Sequence, residues 1–168
     1  MKTLLKVSSI FVLMLVIVNA KAQQTAKQIK QQEKAASIKN KINQQTYTFE
    51  AQYEQPLRGG QRYLTSEYDL RVKKDSVIAW LPYFGRVYMD VPYNPTDDGI
   101  KFSSTKFDYK ITEKKKGGWI IAIVLHDVRR TQNLLLDVST NGSATLQATS
   151  NSRDPITFLG YIKEDDEK

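Results

Sequence analysis

From residue 46 to residue 162 the chain alternates apolar and polar positions in short runs rich in β-branched and aromatic side chains, with turn residues between them. A period of two sends successive side chains to opposite faces, so each run reads as a half-buried strand. The pattern predicts strands over residues 46–53, 63–73, 76–81, 85–89, 100–103, 106–112, 119–126, 133–140, 143–149 and 156–162. Residues 23–45 have a different texture, dominated by Gln, Lys, Ala, Glu and Ile without glycine or proline, which is a helix composition. Ile29, Ala35, Ala36, Ile38 and Ile42 fall roughly along one stripe, with Lys27, Lys30, Lys34 and Lys41 on another. The stripe is narrow and alanine-rich, so the expected helix packs lightly against the strands. It lacks the bulky Trp, Phe and Leu that a helix lying in a membrane surface would insert.

Two hairpins can be put in register. A turn centred on Lys74 and Asp75 sets Val72 opposite Val77, Leu70 opposite Ala79 and Tyr68 opposite Leu81, an apolar face throughout. In LLLDVSTNGSATLQA, a two-residue turn at Asn141-Gly142 would set Leu136 against Gln147 and Val138 against Thr145. A three-residue loop, Thr140-Asn141-Gly142, instead pairs Val138 with Ala144, Leu136 with Leu146 and Leu134 with Ala148. A third hairpin turns at KKKGG, residues 114–118. Parallel strands would need helical crossovers, and no second helical pattern exists. The expected fold is mainly β: an antiparallel meander with one N-terminal α-helix alongside, its edges protected by closure into a barrel-like (lipocalin-like) sheet or by a two-layer sandwich, the barrel-like form preferred.

The N-terminus changes the picture of where the protein works. Lys2 and Lys6 flank a wholly apolar run over residues 10–18, and Ala20-Lys21-Ala22 supplies a small-x-small cleavage pattern. Residues 1–22 read as a secretory signal, too short in its apolar core to be a membrane span. Four segments follow: signal 1–22, helix 23–45, a single β domain 46–162 and a disordered charged tail 163–168. The product is expected to be exported to the periplasm or cell envelope and soluble after cleavage near Ala22. With no cysteine in the chain, a disulfide scaffold, thiolate chemistry and a lipid-modified cysteine are all excluded. Removing the signal takes away Lys2, Lys6 and Lys21, leaving 22 basic against 18 acidic residues and a net charge near +4. That excess is too small for a nucleic-acid binder.

Catalytic constellations are missing from the sequence. The one histidine, His126, precedes Asp127, but neighbours in a strand face opposite ways and cannot easily form a relay. No second histidine or cysteine completes a transition-metal set. Asp97-Asp98 sits in NPTDDG, where each residue has a turn role, without the spaced ligands of a calcium loop. No nucleophile elbow or phosphate-cradling glycine loop appears, so neither catalytic residues nor a metal or cofactor are expected.

The least ordinary segment is LPYFGRVY, residues 81–88. Pro82 removes a ladder donor and Gly85 permits a conformation closed to other residues, so a bend is expected, with Tyr83 and Phe84 buried as fill and Arg86 bonded to backbone carbonyls or a carboxylate. The competing reading makes Tyr83, Phe84, Arg86 and Tyr88, joined by Tyr93, a ligand or partner site, since aromatics beside an arginine combine a flat apolar surface with an anion clamp. Together with TFEA (48–51), LTSEYDLRVKKDSV (64–77), KFSS (101–104), KGGW (116–119) and ITFLG (156–160), this segment resembles a secreted bacterial family, known mainly from Bacteroidetes, called domain of unknown function 4251. Val87 stands where the family pattern more often has alanine, a conservative difference. The resemblance implies export and a β domain, and no activity. The expected function is therefore a non-enzymatic periplasmic binding module for a small amphipathic or anionic ligand, held in a cavity or on an open face near residues 81–88. The alternatives are an interaction module for another envelope protein and, last, an enzyme of unknown type.

Overall fold

A computed structural model describes residues 27–89, 99–129 and 131–163. The expected signal, the first residues of the expected helix, Tyr93, the Asp97-Asp98 turn and the tail beyond Lys163 lie outside them. Among the described residues α1 covers 27–44. It stops because Gln45 takes a left-handed conformation, φ 52°. Gln45 N–H then donates to the Ile42 carbonyl at 3.1 Å and Thr46 N–H to that of Lys41 at 3.0 Å. This double closure satisfies two carbonyls at the helix end and turns the chain straight into the first strand.

Nine strands follow: β1 (Tyr47–Pro56), β2 (Arg62–Val72), β3 (Val77–Leu81), β4 (Ile100–Ser104), β5 (Phe107–Glu113), β6 (Trp119–Leu125), β7 (Asn133–Val138), β8 (Ser143–Thr149) and β9 (Ile156–Ile162). They form one antiparallel sheet in the order β4-β3-β2-β1-β9-β8-β7-β6-β5. β4 and β5 are consecutive in the chain, separated only by Thr105 and Lys106, yet stand at the two ends of this order. The sheet therefore curls until its edges nearly meet, giving a nearly closed barrel rather than a sandwich.

The local registers match the sequence. Val72 faces Val77 and Leu70 faces Ala79. Pairing ends at Asp69 and Trp80, so Tyr68 and Leu81 form no ladder pair, because the chain leaves the sheet at Pro82. Val138, Leu136 and Leu134 face Ala144, Leu146 and Ala148. Gly142, at φ 89°, supplies the left-handed position that the three-residue loop needs. The 114–118 turn also forms, with Lys114 N–H on the Gly118 carbonyl at 2.9 Å. One expected strand does not exist: in 85–89 only Val87 makes a bridge, to Arg153.

β1 carries a bulge that its sequence does not announce. Pairing with both neighbours shifts between Ala51 and Tyr53: against β9 Gln52 is the extra residue, whereas against β2 the partner steps from Tyr68 to Tyr63, so the surplus there lies in β2. The inward series Tyr47, Phe49, Ala51 therefore continues as Glu54 and Pro56, not as Tyr53 and Gln55. Inside, Phe49, Leu70, Leu81, Ile121, Leu136, Leu146 and Phe158 are fully buried and fill the barrel. α1 covers the end where β1 begins: Ile38 and Ile42 enter the core, while Ile29 stays exposed and Ala36 faces solvent. The helix is pinned there by Tyr109, whose hydroxyl donates to the Ile42 carbonyl at 3.2 Å. The barrel's other end, where β1 finishes and β9 starts, is covered by residues 82–89 and 152–155.

Candidate functional site

At that second end a corner is built around Tyr83. Its ring is buried, and its hydroxyl donates to the backbone carbonyls of Arg86 at 2.9 Å and Asp154 at 3.0 Å. Tyr88 N–H reaches the Ser152 carbonyl at 2.8 Å, and Asp154 N–H reaches the Arg86 carbonyl at 3.0 Å. These bonds strap 83–88 to 152–154. Gly85 serves the corner differently from expectation, since its φ is not positive. A β-carbon there would lie 2.5 Å from the Tyr83 hydroxyl oxygen, so glycine is required to make room for the ring. The Arg153 guanidinium covers the other side, 4.6 Å from the Tyr83 ring centroid.

The corner separates the expected site residues. Tyr83 is inside. Phe84, expected to be buried fill, is instead 47% exposed because the bend turns it outward under Arg62, whose guanidinium lies 5.1 Å from the ring centroid. Arg86 gives its carbonyl to the corner, but its exposed guanidinium has no hydrogen bond or ion pair among the described residues, contrary to the bonded state expected of a pure bend. Tyr88 is exposed in its ring while its hydroxyl bonds the Asp154 carboxylate, which pushes the phenol pKa up; Arg58 and Arg86 act in the opposite sense, which puts both cations near it. Met89 is exposed beside it. Phe84, Tyr88 and Met89 with Arg58, Arg62 and Arg86 thus form an aromatic and arginine-rich rim.

Sequence reasoning passed over four residues here. Ser152, Arg153 and Asp154 are buried, although NSRDP reads as a solvated loop. Only their place across the barrel end buries them. Glu54 was hidden by the bulge: its side chain is 1% exposed, and its closest cation, Arg62 Nη1, stands 3.8 Å from Oε1. Burial pushes its pKa up, with Arg62 acting against the shift.

Elsewhere, His126 and Asp127 do not act as a pair. His126 Nε2 lies 3.0 Å from the Asp108 carboxylate, in the open. Asp127 instead clamps the β4–β5 turn, accepting from the Ser104 hydroxyl and from the N–H groups of Thr105 at 3.0 Å and Lys106 at 3.2 Å. The Ser104 bond, then that of Thr105, hold its pKa below the usual aspartate value. Among the described residues no group of His, Cys, Asp and Glu could hold a metal ion, and no helix is long and apolar enough to cross a membrane.

No curated protein matches the chain. A crystal structure of a DUF4251 family protein from Bacteroides eggerthii DSM 20697 shares the fold, with a TM-score of 0.59 and 16% identity over 77% of this chain and 86% of that one. The family model described as Domain of unknown function (DUF4251) matches residues 29–162. With TFEA, LPYFGR and ITFLG all inside that span, the chain belongs to the DUF4251 family.

Proposed function

We propose that this is an exported, non-enzymatic binding module of the cell envelope, which recognises another envelope protein through the rim formed by Phe84, Arg86 and Tyr88. The observation that carries this reading is the exposed Arg86 guanidinium without a partner among the described residues, set between exposed aromatics. Aromatic residues, Met and Arg are the side chains enriched at protein interfaces, and Arg adds bidentate recognition of carboxylates. Three arginines on the rim favour a partner segment that is acidic as well as apolar. The large side chains filling the barrel favour the open face over an interior cavity. Export rests on the sequence of residues 1–22.

Affinity capture from envelope extracts tests this. Arg86→Ala and Tyr88→Ala are expected to lose the same partner while remaining folded by circular dichroism, and His126→Ala is expected to retain it. If both rim variants stay folded and keep every partner, the rim is not the recognition surface.

A further inference from the structure

The bulge in β1 turns one carboxylate inward that the corner does not use. The Glu54 side chain is 1% exposed, and its Oε2 has no hydrogen-bond partner among the described residues. A carboxylate buried without donors is costly to keep ionised and much less costly to keep protonated. The ladders set Arg62 of β2 and Phe158 of β9 opposite it. Arg62 is the charged group that acts on it, but Nη1 stands 3.8 Å from Oε1, too far for a hydrogen bond. The other charged groups of this barrel end stand toward other residues: Arg58 and Arg86 act on Tyr88, Asp154 accepts the Tyr88 hydroxyl, and Arg153 lies against Tyr83. The Arg62 guanidinium also lies 5.1 Å from the Phe84 ring centroid, on a side chain that is 54% exposed. One flexible cation therefore spans a buried carboxylate and an exposed aromatic of the rim.

We infer that Glu54 is a proton-operated latch on the rim: ionised, it holds Arg62 across Phe84, and neutral, it releases the guanidinium, leaving both side chains to an acidic and apolar partner segment. The direction follows from charge. A held Arg62 is partly neutralised by the carboxylate behind it, whereas a released one presents its full positive charge. Burial disfavours the ionised form and Arg62 opposes that shift, so the latch turns at a pH above the ordinary glutamate value of 4.5. The recognition step rests on the rim proposed above; the response of Arg62 to Glu54 does not.

NMR of the folded, isotope-labelled protein reads the latch without any partner. The Glu54 carboxyl carbon is expected to titrate with a midpoint above 4.5. The Arg62 Nε–H signal should shift with that same midpoint in the wild type and stay still in Glu54→Gln. Arg62→Gln should raise the Glu54 midpoint further, because it removes the cation that favours the ionised form. Melting temperature gives a second reading. With the folded pKa raised, the stability carried by the neutral carboxyl is complete below the unfolded value and is lost as pH rises through the folded one. Glu54→Gln should therefore melt with the wild type below about pH 4 and at a higher temperature than the wild type at about pH 8. A peptide carrying sulfotyrosines, anionic and aromatic across this range, reads the rim. At about pH 8 Glu54→Gln is expected to bind it up to about fivefold more tightly than the wild type, the size of one exposed charge interaction, and Arg86→Ala to lose it. The latch is overturned if the Arg62 signal does not follow the Glu54 titration, or if Glu54→Gln and the wild type bind the peptide with the same measurable affinity. If no variant binds the peptide while Arg62 still follows Glu54, the result supports the latch and removes the rim as a recognition surface.

Discussion

Tyr83 and Gly85 behave as one unit, because the ring occupies the space that a side chain at 85 would need. Gly85→Ala should therefore force the ring away and break the hydroxyl's bonds to the Arg86 and Asp154 carbonyls, costing about 1–3 kcal/mol in urea unfolding. In a Tyr83→Leu background the same substitution should cost clearly less, as coupled neighbours are not additive. Equal costs in the two backgrounds would show that Gly85 acts through its own backbone. The presence of a bend was legible at this scale, since Pro82 ends a ladder by its own chemistry. Which aromatic turns inward was not: Tyr83 and Phe84 are equally apolar in a pattern, and only a hydroxyl reaching Asp154, far along the chain, selects Tyr83. Arg86 stands out from its sequence neighbours alone, whereas Arg153 gives no local signal because its burial comes from its place across the barrel end.

Strands and hairpins were read well where the information is local. The Thr140–Gly142 loop was legible because one register alone aligns Leu134, Leu136 and Val138 with apolar partners. The bulge in β1 was not, because a single extra residue at Gln52 slips the alternation and brings a carboxylate inward at Glu54. Its counterpart is Gly160 on β9, where a β-carbon would sit 1.9 Å from the Glu50 carbonyl oxygen. Backbone cannot move aside as a flexible side chain can. Gly160→Ala should cost at least about 3 kcal/mol, against a change within about 0.5 kcal/mol for Gly60→Ala, where a β-carbon meets nothing within 4 Å. Chemical denaturation of the two variants checks this, and similar costs would mean that β1 and β9 can separate without penalty. The expected strand over 85–89 failed for a related reason: its residues are β-formers, but the strap to 152–154 uses their backbone bonds.

Over the whole molecule, closure of the barrel was expected from the need to protect edges, but the place of the seam was not. No ladder joins β4 to β5 among the described residues; the Asp127 carboxylate holds their turn instead. Because the folded Asp127 pKa lies below the ordinary value of 3.8, its contribution to stability is present above that pH and is lost as pH falls through the folded value. Melting temperature should fall more steeply below about pH 4 in the wild type than in Asp127→Asn, whose profile should be flatter there. Superimposable profiles would remove Asp127 from the seam's acid response. The strand order has one further consequence, in time rather than in space. Every ladder joins strands that are consecutive in the chain except the one between β1 and β9. The two arms, β1 to β4 and β5 to β9, can each assemble from short loops, but the contact that unites them waits for the last strand. A chain emerging one end first, from a ribosome or through a membrane, remains two unjoined half-sheets until residues 156–162 arrive.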